Sequence, residues 1–349
     1  MQNSKQIIKC QICNSKDLKS ILFLGYLPPV NQFYKLNNKP KEQPSYPAEL
    51  LHCMNCNLVQ LSTIVDKKIL FPKEYPYTSS TTKILRDNFQ ELYQEVRKNF
   101  NFKKKSLIID IGSNDGNLLS NFKHDFKVLG ITPEKIGKIA IKKGISTLLK
   151  YFNLKTSEHI VKKFGKAKII TATNVFAHID NLNEIMVGIK NCLDKDGIFI
   201  SESHYLIPLL KSVQYDTVYH EHLRYYSLNS LNYLFKKYKL EIFDAKEIRS
   251  HGGSIRVYCA RKGKYKIRSS VNKILNREKK YFNHKEFARF NKNVLKSKLN
   301  LLKILATIKN KGANVAGVSA PSRAATLINY VGIDHNILNC IYEIKGSYK

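Results

Sequence analysis

The chain has 349 residues, more than one hydrophobic core organises, and its 43% hydrophobic and 25% charged composition is that of a folded globular protein rather than a disordered one. The formal net charge of +32 is an excess of lysine in a chain also rich in Asn and Ile, without an arginine stripe interleaved with aromatics, so it reads as solvated surface that favours an anionic small substrate over nucleic acid. No apolar run reaches bilayer length, and the opening Met1-Gln-Asn-Ser-Lys-Gln6 lacks a secretory core, which excludes a membrane partner and gives a cytoplasmic expectation.

Cysteines come first along the chain. Cys10-Gln-Ile-Cys13 and Cys53-Met-Asn-Cys56 are two Cys-x-x-Cys knuckles, each able to present two thiolates to one tetrahedral ion. Disulfides are unexpected in a reducing compartment, and a redox dithiol has no reason to occur twice, so the spacing points to structural Zn2+. The intervening Pro28-Pro29-Val30-Asn31-Gln32-Phe33 and Lys39-Pro40 turns imply a hairpin excursion. Cys192, Cys259 and Cys340 stand alone in apolar contexts and are read as small core residues.

An amphipathic helix is expected over 83–99, followed by a buried strand over 106–111. Further strands at 126–131, 168–172 and 197–201 alternate with helices at 133–143, 154–164 and 182–193. That alternation gives an α/β fold with a doubly wound parallel sheet, whose ligands bind beyond the carboxyl ends of the strands. The first such end is Asp110-Ile-Gly112-Ser-Asn114-Asp115-Gly116. It has neither the Gly-Lys-Ser/Thr of a P-loop nor the spacing of a dinucleotide fingerprint, and its carboxylates would repel a pyrophosphate. An acidic glycine loop suits a cofactor with a sulfonium and an amino-acid end; the plainer reading is a strand-to-helix turn in which Asn114 or Asp115 caps the next helix.

Later segments add candidates. Asn174-Val-Phe-Ala-His178 leaves a strand, and its Phe could simply pack inward. His251-Gly-Gly-Ser-Ile-Arg256 enters a strand over 254–260 either as a glycine hairpin or with Arg256 beside an anionic ligand. An apolar helical face runs through Leu275, Phe282, Phe287, Phe290, Leu295, Leu299, Leu302 and Ile304. Near the end, a strand over 314–318 leads through Ser319-Ala-Pro-Ser322-Arg323 into a helix, whose first turn could hold a diphosphate or serve packing alone.

Taken in order, the two knuckles, Tyr75-Pro-Tyr77-x-Ser79-Ser80, the Asp110–Gly116 loop, Asn174–His178, Tyr219-His220-Glu221-His222, His251–Arg256 and Ala320-Pro-Ser-Arg323 resemble the nucleotide-deoxysugar C-methyltransferases over nearly the whole chain. The resemblance implies a Rossmann-like class I methyltransferase with an N-terminal zinc-binding module (1–68), a central S-adenosylmethionine domain (69–262) and a helical linker with a smaller Rossmann-like substrate domain (263–349). It implies methylation of the carbon beside the ketone of an NDP-4-keto-deoxysugar. In that scheme His222 is the general base, Glu221 its orienting partner, and Tyr219 and His178 are donors to the developing enolate. Asp110, Gly112, Asn114, Asp115, Gly116, Thr132, Asn174, Ser79 and Ser80 would line the cofactor, and Tyr75, Tyr77, Arg256, Ser322 and Arg323 the nucleotide sugar.

Two departures qualify the scheme. Thr132 stands where an acidic residue would meet the ribose hydroxyls, with Glu134 two residues on as a substitute. The chain also reaches Lys349 soon after a strand over 338–344, short of the family's usual end, so the C-terminal sheet is expected to be incomplete. The competing readings are O- or N-methylation of another small molecule, and a zinc-containing nucleic-acid-binding protein on a weakened methyltransferase fold.

Overall fold

The computed structural model describes residues 3–32, 42–71 and 78–343, which leaves Phe33, Lys39, Pro40, Tyr75 and Tyr77 outside the described residues. The chain divides into two compact units, one of Met1–Pro76, Leu206–Tyr225 and Lys279–Lys349, the other of Tyr77–Tyr205 and Tyr226–Glu278.

The second unit holds a seven-stranded sheet: β1 (Leu107–Ile111), β2 (Lys127–Ile131), β3 (Thr147–Leu148), β4 (Ala167–Thr173), β5 (Leu193–His204), β6 (Leu240–Ile248) and β7 (Ser254–Arg261). Their order is β6-β7-β5-β4-β1-β2-β3. Strands β1 to β5 run parallel, and β7 is antiparallel to both of its neighbours. The order reverses between β1 and β4, which is the switch point where an open parallel sheet leaves a crevice for a ligand. Every residue of β1 is buried, as a strand covered on both faces requires.

Helices Lys83–Asn99, Leu154–Phe164 and Leu182–Cys192 match the expected spans within a residue. The first packs Leu85, Phe89, Leu92 and Val96 onto Ile108, Ile169, Ile198 and Tyr258 of the sheet. Asn153 and Asn181 cap the other two by accepting backbone N–H groups of Thr156 and Glu184. The helix expected over 133–143 is confined to Gly137–Lys142, because the chain first turns at Pro133.

The first unit is built on an antiparallel sheet in the order Arg224–Tyr225, Val59–Leu61, Tyr46–Cys53, Leu18–Leu27. Strands Leu18–Leu27 and Tyr46–Cys53 form the hairpin implied by the long gap between knuckles. Arg224 and Tyr225 pair with Gln60 and Val59, so 206–225, which the sequence division placed in the central domain, closes the edge of the zinc-module sheet. Helix His284–Lys309 lays Phe287 and Phe290 inward, with the Phe287 ring 4.8 Å from His52.

Two expectations are corrected in this unit. Leu295, Leu299 and Ile304 are 51%, 56% and 56% exposed: the expected face holds at Phe287 and Phe290, and beyond them the buried positions of the long helix are Val294 and Leu305. Cys340 is exposed on a short strand, whereas Cys192 and Cys259 are buried as expected. Ala316–Val318, helix Ser322–Val331 and Cys340–Tyr342 make a parallel strand-helix-strand element.

Candidate active site and zinc centre

The four knuckle cysteines converge. Their Sγ atoms all lie within 4.8 Å of one another, with Cys10–Cys56 at 3.4 Å and Cys13–Cys53 at 3.5 Å. A tetrahedral zinc with sulfurs at about 2.3 Å sets them about 3.8 Å apart, so the cluster fits the ion. The two knuckles repeat one local geometry. Asn14 and Asn57 follow them in the left-handed region, at φ 62° and 56°, each donating its N–H back to the first cysteine carbonyl, Cys10 or Cys53. Cys10 is held down at about 5, chiefly by the hydrogen bond from the Cys56 thiol, while burial pushes Cys53 up to about 11. Among the described residues this is the one cluster of three or more potential metal ligands, and the two histidines of Tyr219–His222 belong to no second one.

The loop after β1 occupies the switch point. Gly112 has φ +78°, and a Cβ there would lie 2.3 Å from Cγ2 of Val175 in the loop after β4, so only glycine lets the two strand ends approach. Gly112 and Ser113 both donate their N–H groups to the Ile131 carbonyl at the end of β2. The helix cap is Gly116, in the left-handed conformation and with no side-chain bond, rather than Asn114 or Asp115.

The acidic residues of this loop are turned to internal tasks. Asp110 is buried, accepts from the Thr171 hydroxyl at 2.7 Å, and is pushed up to about 7 by desolvation. Asp115 is fully buried and lies below the usual carboxylate range, because hydrogen bonds from Ser79 and Ser80 and the nearby Lys143 ammonium outweigh its desolvation. Ser79 is clamped: its hydroxyl donates to Asp115 at 2.5 Å, its N–H donates to Asn114 Oδ1 at 2.9 Å, and its carbonyl accepts from Asn117.

At the end of β2, Thr132 is buried and its hydroxyl donates to the Glu134 carboxylate, which brings that acid to the strand end. After β4, Asn174 adopts φ +57° and donates its N–H to the Glu202 carbonyl, while Phe176 is buried against Phe199, the inward packing that the plainer reading foresaw. His178 lies two residues beyond Phe176, half-buried, with its N–H on the Val175 carbonyl.

Arg256 departs from its expected place beside an anionic ligand. It is completely buried, with Nε on Glu202 at 2.5 Å, Nη1 on Glu95 at 2.6 Å and Nη2 on Asn88 at 2.9 Å. All three nitrogens bind β5 and the first helix, because a guanidinium in the sheet interior requires carboxylate partners.

In the first unit, Tyr219–His222 follows a single turn at Tyr215–Thr217. His222 Nδ1 lies 3.0 Å from the Thr217 carbonyl, which can only accept, so Nδ1 carries a proton and, in the neutral imidazole, Nε2 carries the lone pair. The Tyr219 ring lies 4.1 Å from the imidazole, centroid to centroid. Tyr225 is buried, which pushes its phenol well above its ordinary value, and it donates to the same Thr217 carbonyl. His220 is buried, with Nε2 near the Pro47 carbonyl, and burial lowers its affinity for a second proton.

Two of these partners, Asn31 and Thr217, were not candidates from sequence. Asn31 Nδ2 donates to Glu221 Oε1 at 2.6 Å and Asn31 Oδ1 accepts from the Ser322 hydroxyl at 3.1 Å. Arg323 forms a bidentate pair with Asp216, both bonds 2.9 Å.

Three family models match in succession: a zinc binding domain over residues 10–71, a methyltransferase domain over 84–244 and a C-methyltransferase C-terminal domain over 249–349. The chain is an S-adenosylmethionine-dependent methyltransferase that carries a zinc binding domain and a C-methyltransferase C-terminal domain. A relative of this methyltransferase, the C-methyltransferase NovU of Streptomyces niveus, is 26% identical over 339 residues, covering 95% of this chain and 80% of the relative. Among solved structures, an S-adenosylmethionine-dependent methyltransferase from Clostridium acetobutylicum is 15% identical, covers 53% of this chain and 94% of its own, and has a TM-score of 0.40. Magnesium protoporphyrin IX methyltransferase from Synechocystis, with bound S-adenosylhomocysteine, is 10% identical over 50% of this chain and 82% of its own, at a TM-score of 0.39. The methyltransferase uses S-adenosylmethionine as cofactor and binds zinc through its four knuckle thiols. No helix among its described residues is long and apolar enough to cross a membrane.

Proposed function

We propose that the methyltransferase adds a methyl group to the carbon beside the ketone of a nucleotide-linked 4-keto-deoxysugar, with His222 as the general base. A carbon beside a ketone becomes nucleophilic when its proton leaves and the carbonyl oxygen takes up the charge. The observation that carries this reading is the His222 tautomer: the Thr217 carbonyl holds the proton on Nδ1 and leaves Nε2 as a neutral acceptor. Tyr219, beside the imidazole, supplies an O–H donor for the enolate oxygen. Bound S-adenosylmethionine supplies an electrophilic methyl group on a sulfonium. Gly112 and Asn114 offer backbone at the switch point for its amino-acid end, and the Thr132–Glu134 pair offers a carboxylate for its ribose. Arg323 keeps Nη1 outside its pair with Asp216, at the first turn of a helix whose free amides favour an anion, which suits the diphosphate of the substrate.

The test is incubation with candidate NDP-4-keto-deoxysugars in D2O, with and without S-adenosylmethionine. Deuterium entering the carbon beside the ketone, followed by a new carbon-bound methyl in the NMR spectrum, is the expected result. A methyl found only on oxygen or nitrogen, without deuterium at carbon, would replace this reading with O- or N-methylation.

A further inference from the structure

The pair most directly proposed for chemistry, Glu221 and His222, belongs to a loop whose anchors come from distant parts of the first unit. Glu221 is 3% exposed and Asn31 6%, so the bond between them is made away from water. A carboxylate only accepts, which forces the Asn31 amide nitrogen toward Glu221 and its oxygen toward the Ser322 hydroxyl. Ser322 is the first residue of helix Ser322–Val331. The next residue, Arg323, holds Asp216 through Nε and Nη2, and Asp216 immediately precedes Thr217, whose carbonyl orients His222. The same helix also meets this loop through the Tyr215 and Tyr330 rings, 5.2 Å apart. One helical turn thus reaches the loop by two routes, one ending on Glu221 and the other on the acceptor of His222.

We propose that Asn31 is a positioning residue for the base, fixing the Glu221 carboxylate and tying it through Ser322 to the helix turn that also holds Asp216. The proposal rests on His222 acting as the base, and it adds residues that a motif-by-motif reading of the chain leaves unassigned. Asn31 does not touch the substrate in this scheme. It acts on where a buried carboxylate sits, and a carboxylate that loses its donor both shifts and binds a proton more readily. Among the described residues, Tyr219 and Tyr225 lie beside the His222 ring, the Asp216–Arg323 pair stands beside its Thr217 acceptor, and Glu221 is its neighbour in the chain. Of these, only Glu221 is held by Asn31.

The experiment compares the wild type with Asn31→Ala, Ser322→Ala and the double variant. In Asn31→Ala, kcat should fall between about 10-fold and 100-fold, while zinc content, S-adenosylmethionine affinity and sugar KM stay within about twofold. With its negative neighbour displaced, His222 should lose its proton more easily, so the acid limb of the kcat profile moves to lower pH. Because Ser322 acts through Asn31, Ser322→Ala should give a smaller loss by itself and add nothing to Asn31→Ala.

Nitrogen-15 spectra of the His222 imidazole, assigned by its absence in His222→Asn, follow the same titration without substrate. They decide the relay even if wild-type enzyme fails to methylate carbon, which would overturn the proposed reaction alone. An unmoved His222 titration in Asn31→Ala, or a Ser322→Ala loss that adds in full to the Asn31→Ala loss, would overturn the relay.

Discussion

The glycine loop after β1 and the Tyr219–His222 loop are held in place by different means. The loop after β1 is held mainly through its backbone, with Gly112 and Gly116 at positive φ, the Gly116 N–H on the Ser113 carbonyl and the Gly112 and Ser113 N–H groups on the Ile131 carbonyl of the same unit. The Tyr219–His222 loop is braced by one turn and by Thr217 just before it, and is further tied through Glu221 to Asn31 and Ser322 and through Asp216 to Arg323, residues from two distant stretches of chain. The first kind of loop should survive disturbance of the first unit, because its partners lie in its own unit. The second depends on the first unit.

Zinc removal should expose that contrast most fully. A strong chelator, or Cys53→Ser, should abolish turnover by loosening the sheet whose edge carries Arg224 and Tyr225, while calorimetry still detects S-adenosylmethionine binding within several-fold of wild type. Equal loss of both would show that the two loops do not stand apart. His222→Asn comes next: turnover should drop by about 10³-fold or more, with cofactor affinity nearly unchanged. Substantial residual turnover would remove His222 as base.

Gly112→Val reverses the pattern. Its side chain would collide with Val175 in a backbone conformation hostile to β-branched residues, costing about 1–3 kcal/mol and most of the cofactor affinity, while the His222 imidazole spectrum should not change. The smallest effect concerns Asp110. Its folded pKa, about 7, lies above the ordinary 3.8, so its contribution to stability is complete below about pH 4 and is lost as pH rises through 7. Asp110→Asn removes that loss, so the Tm advantage of the variant should widen by a few degrees from pH 4 to pH 8; a constant difference would mean that Asp110 ionises freely.

What the sequence disclosed follows the same division. Sheet, knuckles and glycine loop were readable because each is written in residues close together: a run such as Leu107–Ile111, two Cys-x-x-Cys pairs, glycines where the backbone must turn. Tyr219–His222 was readable as a motif, but its anchors were not. Asn31 looked like one more turn residue after Pro28-Pro29, and only its contact across 190 positions to Glu221 distinguishes it. Arg256 failed for a related reason, since a glycine hairpin suggests a ligand while the carboxylates of Glu95 and Glu202 that claim it lie far away in sequence. Glu134 was visible two residues after Thr132, because the pair is local.

The chain leaves β5 after Tyr205, crosses to the first unit as Leu206–Tyr225, and returns at Tyr226, which pairs with Tyr205 by a backbone bridge. The entry and exit of this excursion are therefore stitched side by side, like the neck of a pouch. Such closure lets the sheet it interrupts assemble once β6 and β7 have followed, by Glu278, whereas the zinc-bearing unit must wait for Lys279–Lys349. During synthesis, the unit with the parallel sheet should be ready first, and the unit with the zinc centre and Tyr219–His222 should mature last.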